Sequence, residues 1–114
     1  MTFDETLEGF KKFRITYLPI LMSTLPTDPA KVHLERQTIE PIFFEAMEWA
    51  ADLEAFYQIK AAREYEKPEC KSWDYAHAMA ADEKRWAKKA QAAVSAIESR
   101  SIKLSQSIKI MEGR

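Results

Sequence analysis

Apolar residues recur along this chain at the spacing of an α-helix, most clearly between Trp73 and Glu112, a stretch with neither Pro nor Gly. At about 100° per residue, Tyr75, Met79, Trp86, Ala90, Ala93, Ile97, Leu104, Ile108 and Met111 fall within roughly 40° of one line. Ser72 stands where an N-cap is needed, Asp74 suits the first turn and Gly113 suits the stop. The pattern predicts one helix over 73–112, roughly 60 Å long, whose apolar stripe needs a partner. Upstream, Ile42, Ala46, Trp49, Ala50, Leu53, Phe56 and Tyr57 share a second helical face, with Phe44, Met47 and Ile59 lying off it. Thr27-Asp28-Pro29 opens this second helix, which runs to about Glu66. Pro41 falls inside it and predicts either a kink or two helices, 29–38 and 40–66. Phe3, Leu7, Phe10, Phe13 and Tyr17 space a first helix over 2–18, in which Gly9 is out of place and which Pro19 ends or kinks.

The polar stretch Glu66-Lys67-Pro68-Glu69-Cys70-Lys71 is too short to do anything but fold the two long helices back on each other. The predicted fold is therefore all-α and a single domain. An antiparallel helical hairpin occupies 39–112, and one or two shorter N-terminal helices and a connector occupy 1–38. On this reading the third helix overhangs the second at its far end, about 100–112, unless residues 1–38 cover it. Ile102 and Ile110 face away from the main stripe there. With Met111 they mark the expected contact with another copy, making the chain a homo-oligomer.

Composition narrows the classes of function. Two glycines in 114 residues leave no Gly-rich phosphate loop, and no nucleophile elbow is present. The single Cys70 forms no internal disulfide, and no basic segment followed by an apolar run opens the chain, so a reducing cytoplasm is expected, that of a host cell if the protein is viral. The longest apolar run, Tyr17 to Met22, is too short for a bilayer and predicts no membrane partner. Asp74-x-x-His77 opposite Glu45, Glu48 and Asp52 is the best metal-like pattern. It lacks the second Glu-x-x-His of two-metal bundles, so neither metal nor other cofactor is expected.

The net charge of −1 conceals a gradient. Residues 35–69 carry four basic and nine acidic side chains, residues 70–114 nine basic and five acidic. Arg85, Lys89, Arg100 and Lys103 lie along one flank of the last helix, with Lys84 and Lys88 further round, and Lys11, Lys12 and Arg14 form a second cluster. Rows of this kind follow a phosphate backbone. Lys60 interrupts an apolar line, with Glu64 one turn on as an ion-pair partner. Arg63, Tyr65, Trp73 and Tyr75 surround the same turn, a basic and aromatic end on which single-stranded bases stack.

Two stretches resemble the UvsY family of bacteriophage recombination mediators. They are Ile59-Lys60-Ala61-Ala62-Arg63-Glu64-Tyr65 and the closing segment from Ala96-Ile97-Glu98-Ser99-Arg100 through Glu112. Together with Ala80-Ala81-Asp82 they cover roughly the C-terminal half. The resemblance implies an all-helical, ring-forming protein without catalysis of its own. Such a protein binds single-stranded DNA and helps load a recombinase onto strands coated by single-strand-binding protein. Lys60 and Arg63 are the positions that match the family's DNA-contacting basic residues, Arg63 displaced by one from the family spacing. The expected nucleic-acid contacts are thus Lys60, Arg63, Tyr65, Arg85, Lys89, Arg100 and Lys103. The competing expectation is a structural or adaptor module, such as a phage assembly factor, with no role for nucleic acid.

Overall fold

A computed structural model describes residues 1–113 as four helices: α1 (Phe3–Met22), α2 (Pro29–Tyr65), α3 (Trp73–Met79) and α4 (Ala81–Glu112). The all-α class expected from the periodicity holds, with no strand among the described residues. Side chains begin three of the helices. Thr2 accepts from the Glu5 amide at 3.2 Å, Asp28 from Ala30 at 3.0 Å and Ser72 from Tyr75 at 3.2 Å. Each satisfies an amide that the first turn leaves without a partner.

α2 and α4 form the hairpin and share the largest interface of the molecule. Its middle is a seam of small side chains, with Ala46, Ala50 and Ala61 on one helix and Ala87, Ala90 and Ala93 on the other, all buried. Larger residues interrupt and extend the seam: Leu53, Tyr57 and Ile39 from α2, Ile97, Leu104 and Ile108 from α4. α1 lies along one side of the hairpin. Phe3 meets Phe56 edge-on at 5.9 Å between ring centres, and Phe10 meets Trp86 in the same way at 6.4 Å. The result is a rod of 66 × 25 × 18 Å with a radius of gyration of 18.4 Å, against about 13 Å for a compact chain of this length.

Two boundaries differ from the periodicity reading, and of the alternatives at Pro41 the division into two helices is excluded. α1 continues through Pro19 to Met22, and α2 runs unbroken through Pro41. Both prolines are exposed, so water can take up the backbone carbonyls they leave unbonded. Around Pro41 the buried Ile39 and Ala46 and the half-buried Ile42 and Phe43 hold the helix to the core from both sides. The unbroken α2 also removes the expected overhang, because Val32 and Ile39 are buried in the same core as Leu104 and Ile108. The predicted helix over 73–112 divides at Ala80, whose φ of −101° and ψ of 24° leave the helical region. Ala80 is fully buried, and its amide points at the carbonyls of Ala76, His77 and Ala78.

Gly9 finds its reason in packing. A Cβ there would collide with the Trp49 indole, so the absence of a side chain lets α1 approach α2. The end of α1 is held by Arg100. Its guanidinium, with the side chain 8% exposed, donates to Glu35 Oε1 at 2.8 Å and Oε2 at 3.1 Å. It also donates to the Ser23 carbonyl at 2.7 Å, Ser23 Oγ at 3.1 Å and the Thr24 carbonyl at 3.2 Å. One α4 side chain thus joins α2 and the 23–28 connector.

Two stability outcomes follow. Arg100→Ala leaves a carboxylate and two carbonyls without their donor, and chemical denaturation is expected to show a loss of about 3 kcal/mol. Gly9→Ala, favourable in an open helix, is expected to destabilise by about 1–3 kcal/mol because the methyl must displace Trp49 or α1.

Candidate nucleic-acid interface

The basic residues of the C-terminal half fall into three settings once folded. Arg100 is internal, committed to Glu35, Ser23 and Thr24, and does not join a surface row. This corrects its expected place among the nucleic-acid contacts. Its position on the apolar side of the flank, rather than its charge, decides its burial. Lys103 is exposed and lines a shallow groove with Leu21, Leu25 and Ser99. It stands roughly 21 Å along α4 from Lys89, so the predicted row is split.

The third setting is the N-terminal half of α4. Lys84, Arg85 and Lys88 line an open cleft of about 650 Å³ together with Tyr57, Asp74, His77, Ala78 and Ala81. The division at Ala80 positions the α3 members of that cleft against α2. Tyr57 Oη and His77 Nδ1 are hydrogen-bonded, and their rings lie 5.5 Å apart. Round the helix from this cleft, Trp86 collects cations from two helices. Lys89 Nζ lies 4.4 Å from its ring centre, Lys11 Nζ of α1 5.2 Å and the Arg85 guanidinium carbon 5.8 Å. Such placements are worth about 0.5–1 kcal/mol each at exposed sites and keep the charges outward. Arg85 belongs to both groups and makes them continuous. Its one ion pair among the described residues, with Asp82 at 3.9 Å, is exposed on both sides and therefore weak.

The hairpin end gathers some of the expected residues. Tyr65 and Trp73 stack face to face, with ring centres 4.1 Å apart and planes 5° from parallel, and both are about half exposed. Trp73 lies 5.7 Å from His77, so the aromatic run continues to the cleft. Arg63 is exposed but lies about 160° round α2 from Tyr65, on the other side of the helix. Lys60 pairs with Glu64 at 3.2 Å, and Lys67 meets the same oxygen at 2.9 Å. Glu64 is buried between the two ammonium groups. Hydrogen bonds from Lys67 and then Lys60 hold its carboxyl below the usual glutamate range, and burial opposes them. The same bond to Glu64 raises Lys67 above its ordinary value. Lys60 is therefore half-neutralised within the chain, while Lys84, Arg85 and Lys88 line the open cleft.

Sequence reasoning placed Lys84 and Lys88 beyond the main row and did not connect His77 or Tyr57 with them. The signal was the i, i+4 spacing of Lys84 and Lys88, but the turn at Ala80 that brings His77 alongside has no Pro or Gly to announce it. Glu45, Glu48 and Asp52 do not join Asp74 and His77. Among the described residues no three His, Cys, Asp or Glu side chains converge as metal ligands would. The expected subunit contacts also separate. Ile102 and Ile110 are exposed, whereas Met111 is half-buried against its own core. No helix among the described residues is long and apolar enough to cross a membrane. Comparison with protein families, with characterised proteins and with solved structures gives no match to this chain.

The depressed Glu64 carboxyl stabilises the fold when ionised. Its contribution is complete above the unfolded value near 4.5 and is lost as pH falls through the lower folded value. In thermal melts, Glu64→Gln is expected to be less stable than the parent at neutral pH, with the gap closing as pH drops below 4.5.

Proposed function

We propose that the protein is a non-enzymatic, single-stranded-DNA-binding accessory factor of recombination. The observation that carries this reading is the adjacency of an open cationic cleft and an exposed aromatic stack. Lys84, Arg85 and Lys88 line the cleft, and the Tyr65–Trp73 pair continues through His77 into its wall. Single-strand binders combine these two elements. Cations follow the phosphates by releasing counterions, and aromatic faces take unstacked bases of any sequence. The outer faces of Tyr65 and Trp73 are the stacking surfaces, and Lys89 and Lys11 beside Trp86 extend the path along the rod. Arg100 has no part in it, and Lys60 contributes a charge already shared with Glu64.

The resemblance of the hairpin end and closing helix to UvsY-type mediators supplies the biological setting. In that setting the protein promotes recombinase loading on strands held by single-strand-binding protein, in the cytoplasm of an infected cell. Several weak sites in one oligomer would act together on a single strand.

Fluorescence anisotropy with labelled single-stranded DNA at two salt concentrations tests the reading. The triple variant Lys84→Glu, Arg85→Glu, Lys88→Glu is expected to bind at least tenfold more weakly. Its slope of log affinity against log salt should be shallower by about 2. Trp73→Ala, at an exposed position, is expected to weaken binding by roughly 5- to 150-fold without changing the salt slope. A folded triple variant that binds as tightly as the parent rules the reading out in favour of the adaptor role.

A further inference from the structure

α1 covers only one side of the α2–α4 hairpin, and the opposite side carries an apolar patch. Phe44 and Met47 are 56% and 47% exposed there, beside the half-buried Phe43. Phe43 and Met47 lie about 120–180° round α2 from Trp49 and Phe56, the residues that receive α1. The patch lies near the middle of α2, which runs from Pro29 to Tyr65. Arg36, Phe43, Met47 and Glu54 fall within roughly 40° of one line along that helix.

Their order has a symmetry. Phe43 and Met47 stand equally far before and after position 45, and so do Arg36 and Glu54. A second α2 laid antiparallel on the first, with the two-fold axis at the level of residue 45, sets Phe43 against Met47 and Arg36 against Glu54. Each of these pairs occurs twice. Within one chain neither Arg36 nor Glu54 forms an ion pair among the described residues, and Glu54 accepts only from Gln58 and Gln91. The elongated shape leaves ample surface for a neighbour. The chain exposes 7675 Å², against about 6,400 Å² for a compact monomer of its 13.2 kDa mass. The excess exceeds the roughly 800 Å² that each partner of a stable complex buries.

We propose that two copies of the chain pair antiparallel through this face of α2. The paired Phe43, Phe44 and Met47 side chains form the apolar centre, and reciprocal Arg36–Glu54 ion pairs fix the register at either end. None of Arg36, Phe43, Phe44, Met47 and Glu54 lines the cationic cleft.

Sedimentation equilibrium of the full chain tests the proposal. The parent is expected at twice its 13.2 kDa mass across the micromolar range. Met47→Glu should sediment as a monomer that keeps the parent's helical circular dichroism, because Met47 is not part of the buried core, and its melting should lose the concentration dependence of a dimer. Arg36→Glu sets like charges opposite one another and is expected to weaken pairing about tenfold or more. Arg36→Glu combined with Glu54→Arg restores the pairs with their signs exchanged and should return the dimer. The proposal is overturned by a monomeric parent, by a Met47→Glu protein of unchanged mass, or by a double variant no better paired than Arg36→Glu. An assembly abolished by Ile102→Asp and Ile110→Asp but indifferent to Met47→Glu overturns it equally.

Discussion

The buried guanidinium of Arg100 is the interaction on which the arrangement of the first half of the chain depends. α2 and α4 need little help to find each other, since a short turn joins them and each presents a long apolar stripe. α1 is different. Its path is set by where it can lie flat, through Gly9 against Trp49, and by where its far end is held. Five hydrogen bonds from Arg100 hold that end, reaching Glu35 on α2 and the backbone of Ser23 and Thr24. A neutral side chain there would leave the connector to water and the Glu35 carboxylate without a partner. The cost of burying the charge is offset because every acceptor lies within 3.2 Å.

The same residue shows how burial sorts charges that look equivalent on a helical wheel. Arg85, Lys89, Arg100 and Lys103 share a flank in projection. Folded, they become a cleft cation, a partner of Trp86, an internal clamp and an isolated surface lysine. The difference comes from the neighbouring elements, because α1 and the connector end where Arg100 begins. A surface of cations survives only over the first half of α4, where α3 and Trp86 give it walls.

What the sequence made legible was whatever depended on local chemistry. The hairpin, the turn at 66–71 and the caps Asp28 and Ser72 follow from periodicity, Pro placement and side-chain acceptors. Three features did not follow. Pro19 and Pro41 signal a break or a kink, but both sit on the solvent side, where the lost bond is replaced by water and the core contacts on either side keep the helix continuous. Ala80 carries no signal at all, since the best helix former occupies the one residue that leaves helical geometry. Arg100 was read as a surface charge because its partners, Ser23, Thr24 and Glu35, are more than sixty positions away. Of the candidate site, Tyr65 with Trp73 was legible from the turn that joins them. Tyr57 with His77 was not, because it depends on the bend at Ala80.

The alanine seam between α2 and α4 has a consequence for how the rod bears load. Alanine presents nearly the same small knob at every turn, so the middle of the seam distinguishes poorly between one axial alignment and the next. The alignment is enforced where larger residues interrupt the alanines, by Leu53 and Tyr57 between Ala50 and Ala61, and by Ile39, Ile97, Leu104 and the Arg100 clamp further along. A force pulling the two long helices past each other would be borne mainly by these residues. Resistance to sliding therefore resides in a handful of bulky residues and one guanidinium.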